Sequence, residues 1–252
     1  MTVLVAWGNI QDEYPLHLIP QELLTEKLLF LPNDSFRAKQ KYQCRWVAHF
    51  LLWELFKKAE INTALLSQIF LTEKERPRLP IAHIDFNISH SDNWVAVVLQ
   101  IKDKKQKSAV GIDIEYPKKS RKFTALLTQF ASAKEKEWFN QQQNVNDAFY
   151  RIWCLREAIL KSQGVGIAKL SEVQHYPDKF LINSEHCPEG ELIFTTELPF
   201  YLAIFAKDNC ENLQFFNWCK GTLSEIKLFK KIKYLVNNQS GTLKAKNCPQ
   251  IN

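Results

Sequence analysis

The chain carries no Cys-x-x-Cys pair, no His-x₃₋₅-His segment and no Gly-x-Ser-x-Gly elbow. Zinc-ligand spacing, a redox dithiol and the serine-hydrolase signature are therefore all missing. Six cysteines are present (Cys44, Cys154, Cys187, Cys210, Cys219 and Cys248) and, without paired spacing, they read as reduced thiols. The opening MTVLVAWGNI has no basic stretch and no small-residue cleavage pattern, and Asp12 and Glu13 follow at once. A secretory signal is not expected and a cytoplasmic protein is. Long apolar runs are missing as well: Val47 to Phe56 is interrupted by His49 and Glu54 and falls short of the roughly 20 residues that a membrane span needs. No nucleic-acid-binding motif appears. Even so, 33 Lys and Arg against 27 Asp and Glu give a formal charge of +6, which tilts the surface toward anionic partners. With seven tryptophans available for stacking, a nucleic-acid-binding module is the non-enzyme alternative.

What is present describes a folded protein. The 252 residues are 46% hydrophobic and 12% aromatic, enough for one large domain or two modest ones. Trp46, Phe50, Trp53 and Phe56, with Val47, Leu51 and Leu52 between them, predict a helix over 45–58 with a broad buried face. After the turn-forming Arg76-Pro77 and Leu79-Pro80, residues 84–101 read as strand, polar loop and strand, the loop being Ser-His-Ser-Asp-Asn. An offset of 107 residues relates the halves, placing Val3–Trp7 on Val110–Ile114 and Trp94–Val97 on Tyr201–Ile204. Two similar α/β subdomains are expected, 1–107 and 108–236, joined by the lysine-rich 102–107 turn and followed by a polar, flexible tail at 237–252.

Three segments carry candidate chemistry. In Val110-Gly111-Ile112-Asp113-Ile114-Glu115 the alternation of a strand places Asp113 and Glu115 on one face. Two adjacent carboxylates repel unless a cation lies between them, and an all-oxygen set suits Mg²⁺; the solvent-facing edge of an amphipathic strand fits the same hexapeptide. In 149–161 a helix that stops before Gly164 and Gly166 aligns Trp153, Glu157 and Lys161 at intervals of four, offering an aromatic wall, a carboxylate and an ammonium to one space. Taken alone, the same spacing more often marks an ordinary Glu–Lys helix pair beside a core Trp. The third segment, Asp85-Phe86-Asn87-Ile88-Ser89-His90-Ser91, gathers small hydroxyl and imidazole groups that suit either phosphate or a self-capped turn.

Together and in this order, Phe86 to Ser91, Gly111 to Glu115 and Trp153 to Lys161 resemble the 4′-phosphopantetheinyl transferase superfamily, in its two-subdomain, surfactin-synthetase-activating branch. The family pattern departs at two places: its Gly-Lys-Pro reads Glu75-Arg76-Pro77 here, and the lysine before the helical glutamate is Arg156. The resemblance implies an α+β fold of two similar subdomains related by a pseudo-twofold axis, each a small, mostly antiparallel sheet packed with helices, with the active site between them. It implies Asp113, Glu115 and Glu157 as ligands of Mg²⁺, with Mn²⁺ as a substitute. It further implies Glu157 as base, directly or through a metal-bound water, and Lys161 as the cation facing the leaving group and the coenzyme A diphosphate. Ser89, His90 and Arg76, together with Arg37 and Arg45, would contact the nucleotide 3′-phosphate.

The implied activity transfers 4′-phosphopantetheine from coenzyme A to a serine of an apo acyl or peptidyl carrier protein and releases adenosine 3′,5′-bisphosphate. Such carriers are acidic, and Lys118, Lys119, Arg121 and Lys122 are candidates to dock one. A monomer without nucleic-acid or membrane partners is expected. A Mg²⁺-dependent hydrolase of coenzyme A or a nucleotide diphosphate would use the same carboxylates.

Overall fold

The computed structural model describes residues 1–117 and 122–238. The strands are β1 (Thr2–Asn9), β2 (Phe70–Leu71), β3 (Pro77–Arg78), β4 (Ile84–Ser91), β5 (Trp94–Ile101), β6 (Val110–Glu115), β7 (Gln174–Tyr176), β8 (Leu181–Asn183), β9 (Gly190–Thr195), β10 (Tyr201–Lys207), β11 (Leu213–Cys219), β12 (Thr222–Ile226) and β13 (Lys231–Val236). The α-helices are α1 (Glu26–Leu29), α2 (Phe36–Lys58), α3 (Phe123–Leu127), α4 (Ala133–Asn140) and α5 (Val145–Ser162). Lys118, Lys119 and Arg121 lie outside the described residues, as do residues 239–252 of the predicted tail.

Two sheets form, in the orders β12-β11-β1-β5-β4 and β6-β10-β9-β13-β8-β7, and a separate two-stranded ribbon joins β2 to β3. Pairing is antiparallel except for β1 with β11 and β8 with β13. The mixed α and β architecture, with small, mostly antiparallel sheets packed against helices, is the expected one. The second half nevertheless supplies β11 and β12 to the first sheet, so residues 213–219 sit beside β1 and residues 222–226 form the sheet edge beyond them.

The internal repeat has a structural counterpart. β1 pairs with β5 and β6 pairs with β10, both antiparallel; Trp7 faces Ala96, and Ile114 faces Leu202, one residue from the position that the offset of 107 requires. α2 packs on β1 and β5 as α5 packs on β6 and β10.

Alternation along the strands builds three cores. Leu4 and Ala6 face α2, whereas Val3, Val5 and Trp7 face the other sheet, where Val110, Ile112 and Ile114 meet them. The opposite face of the second sheet, with Leu192, Phe194, Ala203 and Phe205, packs under α5. The layers therefore run helix, sheet, sheet, helix. α2 begins at Ser35, whose side chain accepts from Ala38 N at 3.2 Å, and α5 begins at Asn144, which accepts from Asp147 N at 3.1 Å. α5 ends where Gly164 takes φ +67°, a conformation that favours glycine.

One glycine fixes the spacing of α5. A Cβ on Gly111 would stand 2.0 Å from the Ala158 carbonyl oxygen, so the helix rests directly on the strand backbone. Gly111→Ala is expected to destabilise by the upper end of the about 1–3 kcal/mol that overpacking costs, or more. An unchanged denaturant midpoint would show that the helix can be displaced freely.

Glu135, Arg156 and His175 form a network that is almost wholly buried under α5. Arg156 donates to Glu135 at 2.6 Å and to the Leu170 and Ile152 carbonyls, while His175 Nδ1 lies 3.0 Å from Glu135. Burial alone would raise the Glu135 pKa, but His175 and Arg156 outweigh it and hold the carboxyl down at about 2. Burial pushes both His175 and His49 down to about 4. These histidines are neutral in the fold, so their stabilisation is complete above pH 6.5 and is lost toward pH 4 as the unfolded chain takes protons first. Glu157, whose pKa is raised, acts in the opposite sense over a similar range, so these two histidines, with His90 shifted in their direction, oppose one carboxyl. A lower denaturant midpoint at pH 5 than at pH 7 is expected, with a steeper fall in Glu157→Gln. A midpoint that rises on acidification would contradict the assignment.

Candidate active site

β4 and β6 are edge strands of different sheets, and they meet without a backbone ladder. Instead, Asp85 Oδ2, Asn87 Oδ1, Ser89 Oγ and Ser91 Oγ accept from the backbone N–H groups of Val110, Ile112, Ile114 and Tyr116, at 3.0, 3.1, 3.2 and 2.9 Å. Every second side chain of β4 thus serves every second N–H of β6, which satisfies an otherwise orphaned edge. This corrects the polar-loop expectation: Ser89, His90 and Ser91 belong to the strand, and only Asp92 and Asn93 make the turn. Their polarity marks a sheet-to-sheet seam.

The seam presents the acidic face of β6 to α5. On that face Gly111 lies under the helix, followed by Asp113 and then Glu115. From α5, Cys154, Glu157 and Lys161 reach the same space at spacings of three and four. Lys161 Nζ donates to Asp113 Oδ1 at 2.6 Å and to Ser89 Oγ at 3.0 Å. Ser91 Oγ donates to Glu115 Oε2 at 3.3 Å. The Trp153 ring, partly buried, stacks on Phe149 and meets the edge of Phe130. Cys154, which the sequence reading passed over, is fully buried, and its thiol is pushed well above the usual range by burial and then by Asp113 and Glu115.

The charges are coupled. Glu157 is 7% exposed, and burial followed by Asp113 and Glu115 raises its pKa to about 7 despite the opposing influence of Lys161. For Lys161 burial works against the charge, but Asp113 and Glu157 outweigh it and hold its pKa above the ordinary lysine value. Asp113 and Glu157 thus share the Lys161 ammonium. Asp113 Oδ2 is buried with no hydrogen-bond partner. Among the described residues no three His, Cys, Asp or Glu side chains close on one point as a ready cage.

Beyond the far face of β4, a cavity of about 400 Å³ opens between α1, α2 and the β2–β3 ribbon, lined by Arg45, His49, Ile69, Pro77, Phe86 and His90 among others. The His90 pKa is lowered, first by desolvation of the ring and then by Lys161, Lys41 and Arg45, so four cationic or titratable groups share one electrostatic neighbourhood.

A family model described as the 4′-phosphopantetheinyl transferase superfamily matches residues 109–214, a span that holds β6, α5 and all of the coupled carboxylates. A Haemophilus influenzae protein that bears 4′-phosphopantetheinyl transferase as a provisional name is 50% identical over 237 residues, covering 94% of this chain and 100% of that one. The chain belongs to the 4′-phosphopantetheinyl transferase superfamily. It is also similar to 4′-phosphopantetheinyl transferase Sfp of Bacillus subtilis strain 168, at 32% identity over 97 residues, 36% of this chain and 38% of that one. With 4′-phosphopantetheinyl transferase gsp of Aneurinibacillus migulanus it shares 28% identity over 160 residues, 59% and 64% of the two chains.

Within this phosphopantetheinyl transferase the expected phosphate contacts separate into two groups. Arg45 and His90 line the cavity. Arg37 is exposed on the first turn of α2 and does not occur among the described lining residues. Arg76 is turned inward: its guanidinium pairs with both oxygens of Asp85, at 3.0 and 2.8 Å, and donates to the Lys161, Phe86 and Val110 carbonyls. Its side chain is 3% exposed, and these bonds clamp the two subdomains together. Ser89 is equally committed, at 3% exposure. Glu75, standing where the family pattern has glycine, keeps a glycine-like φ of +58°.

Proposed function

We propose that this transferase moves 4′-phosphopantetheine from coenzyme A to a serine of an apo acyl or peptidyl carrier protein, releases adenosine 3′,5′-bisphosphate, and belongs to the surfactin-synthetase-activating branch. The observation that carries this reading is the convergence of Asp113 and Glu115 from a strand with Glu157 and Lys161 from a helix at one buried junction, inside the span matched by the family model.

The donor set fits a hard divalent cation. Asp113, Glu115 and Glu157 bring carboxylate oxygens to one junction, and among the described residues Asp113 Oδ2 is buried without a hydrogen-bond partner. Asp113, Glu115 and Glu157 would hold Mg²⁺, with Mn²⁺ as a substitute. When bound, the ion would neutralise the diphosphate of coenzyme A and the charge that develops on it. Glu157, whose carboxylate reaches the same junction, is suited to take the proton of the attacking serine. Lys161 is suited to meet the negative charge of the departing nucleotide. Arg45 and His90, which line the cavity, would hold the 3′-phosphate end, with Arg37 as a further cation from the first turn of α2.

The basic segment Lys118, Lys119, Arg121 and Lys122, which follows β6, supports docking of an acidic carrier. A monomer in the cytoplasm fits this reading, and among the described residues no helix is long and apolar enough to cross a membrane. Release of adenosine 3′,5′-bisphosphate, followed by chromatography, should require Mg²⁺ and an apo carrier together. Release at the same rate without any carrier would replace transfer with hydrolysis.

A further inference from the structure

One polar group of the cavity beyond β4 is left without a partner. His49 lines that cavity and is 6% exposed, and among the described residues its Nε2 has no hydrogen bond. Burial keeps the ring neutral, with a pKa of about 4, while a hydrogen bond with the Leu23 backbone acts the other way and favours a proton on the ring. Leu23 therefore accepts through its carbonyl, the proton sits on Nδ1, and Nε2 presents a lone pair. Ala48, Leu52, Ile69 and Phe86, which line the same cavity, have no side-chain donor to offer it. Buried acceptors are rarely left empty, and a cavity of about 400 Å³ has the size of a ligand pocket.

Helix geometry says which part of a ligand lies nearest. Arg37, Lys41, Arg45 and His49 recur at every fourth residue of α2 and so follow one face of it; the first three are exposed and His49 is buried. Arg45 and His90 both line the cavity, and the charges that act on His90, from Lys161, Lys41 and Arg45, are all cationic. A phosphomonoester is drawn to that point. In coenzyme A this group is carried by the 3′ carbon of the ribose, and the neighbouring carbon bears a free hydroxyl, whereas the purine amine lies at the opposite end of the nucleoside. The donor within reach one helical turn from Arg45 is the hydroxyl.

From this placement we infer that His49 is a specificity-determining residue, whose Nε2 accepts a hydrogen bond from the ribose 2′-hydroxyl of the nucleotide and so selects ribose over 2′-deoxyribose. Lys41, Arg45 and His90 supply charge, which holds the phosphate whatever the sugar. His49 supplies a directional contact, and a site built around such a contact penalises the analogue that lacks the hydroxyl.

The inference rests on the transferase reading and is tested apart from it. Calorimetric Kd values are compared for adenosine 3′,5′-bisphosphate and its 2′-deoxy analogue, and the wild-type protein is assayed in parallel for carrier loading from coenzyme A. The ribonucleotide should bind about tenfold more tightly, which is the scale of one buried hydrogen bond. In His49→Leu the ribonucleotide should weaken to the affinity of the deoxynucleotide, which itself stays within twofold of its wild-type value. His49→Gln, whose amide oxygen can take the place of Nε2, should recover part of the preference. Arg45→Ala should weaken both nucleotides alike and leave their ratio unchanged. A ribose preference that survives in His49→Leu would overturn the inference. So would equal affinities in the wild type, a result that depends on no variant folding; with carrier loading intact, it removes His49 from recognition and leaves the transferase reading standing. A wild type that loads no carrier and binds neither nucleotide sinks that reading, and the inference with it.

Discussion

Glu157→Gln should yield a protein that is more stable and nearly inactive. The carboxylate is buried among Asp113 and Glu115, and a pKa of about 7 in place of 4.5 means that its charge destabilises the fold at neutral pH. The sign follows from linkage: the folded state holds the proton more tightly than the unfolded one, so the cost is absent below pH 4.5 and is complete above pH 7. At about 1.4 kcal/mol per pKa unit the relief is at most roughly 3 kcal/mol, or several degrees in Tm. Loss of a general base costs about 10²–10⁴-fold in rate, so activity should fall by that factor. A lower Tm in this variant would mean that the carboxylate is neutralised in the resting protein, and near-normal activity would remove Glu157 from the chemistry. Opposite signs for stability and activity are expected of a site that holds like charges together until its substrates arrive.

The second large effect concerns Arg76→Ala. Its guanidinium and Asp85 form a buried bidentate pair, and the same group caps carbonyls from α5, β4 and β6. Removing one partner from such a pair leaves an uncompensated buried charge, at a cost of about 3–5 kcal/mol. A fall in Tm of roughly 10 °C or more is therefore expected, while the ratio of KM values for coenzyme A and its dephospho form stays constant in whatever protein remains folded. A small thermal shift with a collapse of that ratio would return Arg76 to the phosphate site. Lysine should not rescue the variant, because a single ammonium cannot match the paired oxygens of Asp85 and the three carbonyls.

These cases show what the residues declared in advance. The face shared by Asp113 and Glu115 and the helical stacking of Glu157 and Lys161 follow from strand and helix periodicity, and the fold brings them to one junction as periodicity requires. The repeat offset was visible because both halves reuse a strand–helix–strand arrangement of similar length. Roles that depend on long-range partners were hidden. Arg76 and Ser89 look like free cation and donor in sequence, and only the approach of β4 to β6 reveals that their hydrogen bonds are spent on the seam. The parallel pairing of β1 with β11 joins residues more than 200 positions apart and leaves no local trace. Cys154 was invisible for the opposite reason: between Trp153 and Leu155 it reads as core, and its place beside Asp113 appears only when Gly111 lets α5 settle on the strand.

The most direct measurement is the intact mass of an apo carrier protein after incubation with this chain, coenzyme A and Mg²⁺. A gain of one phosphopantetheine on the carrier serine, abolished by chelation and by Glu157→Gln, is the expected result. A carrier of unchanged mass across fatty-acid, polyketide and peptide-synthesis types, under conditions where a known transferase loads each of them, would contradict the assignment.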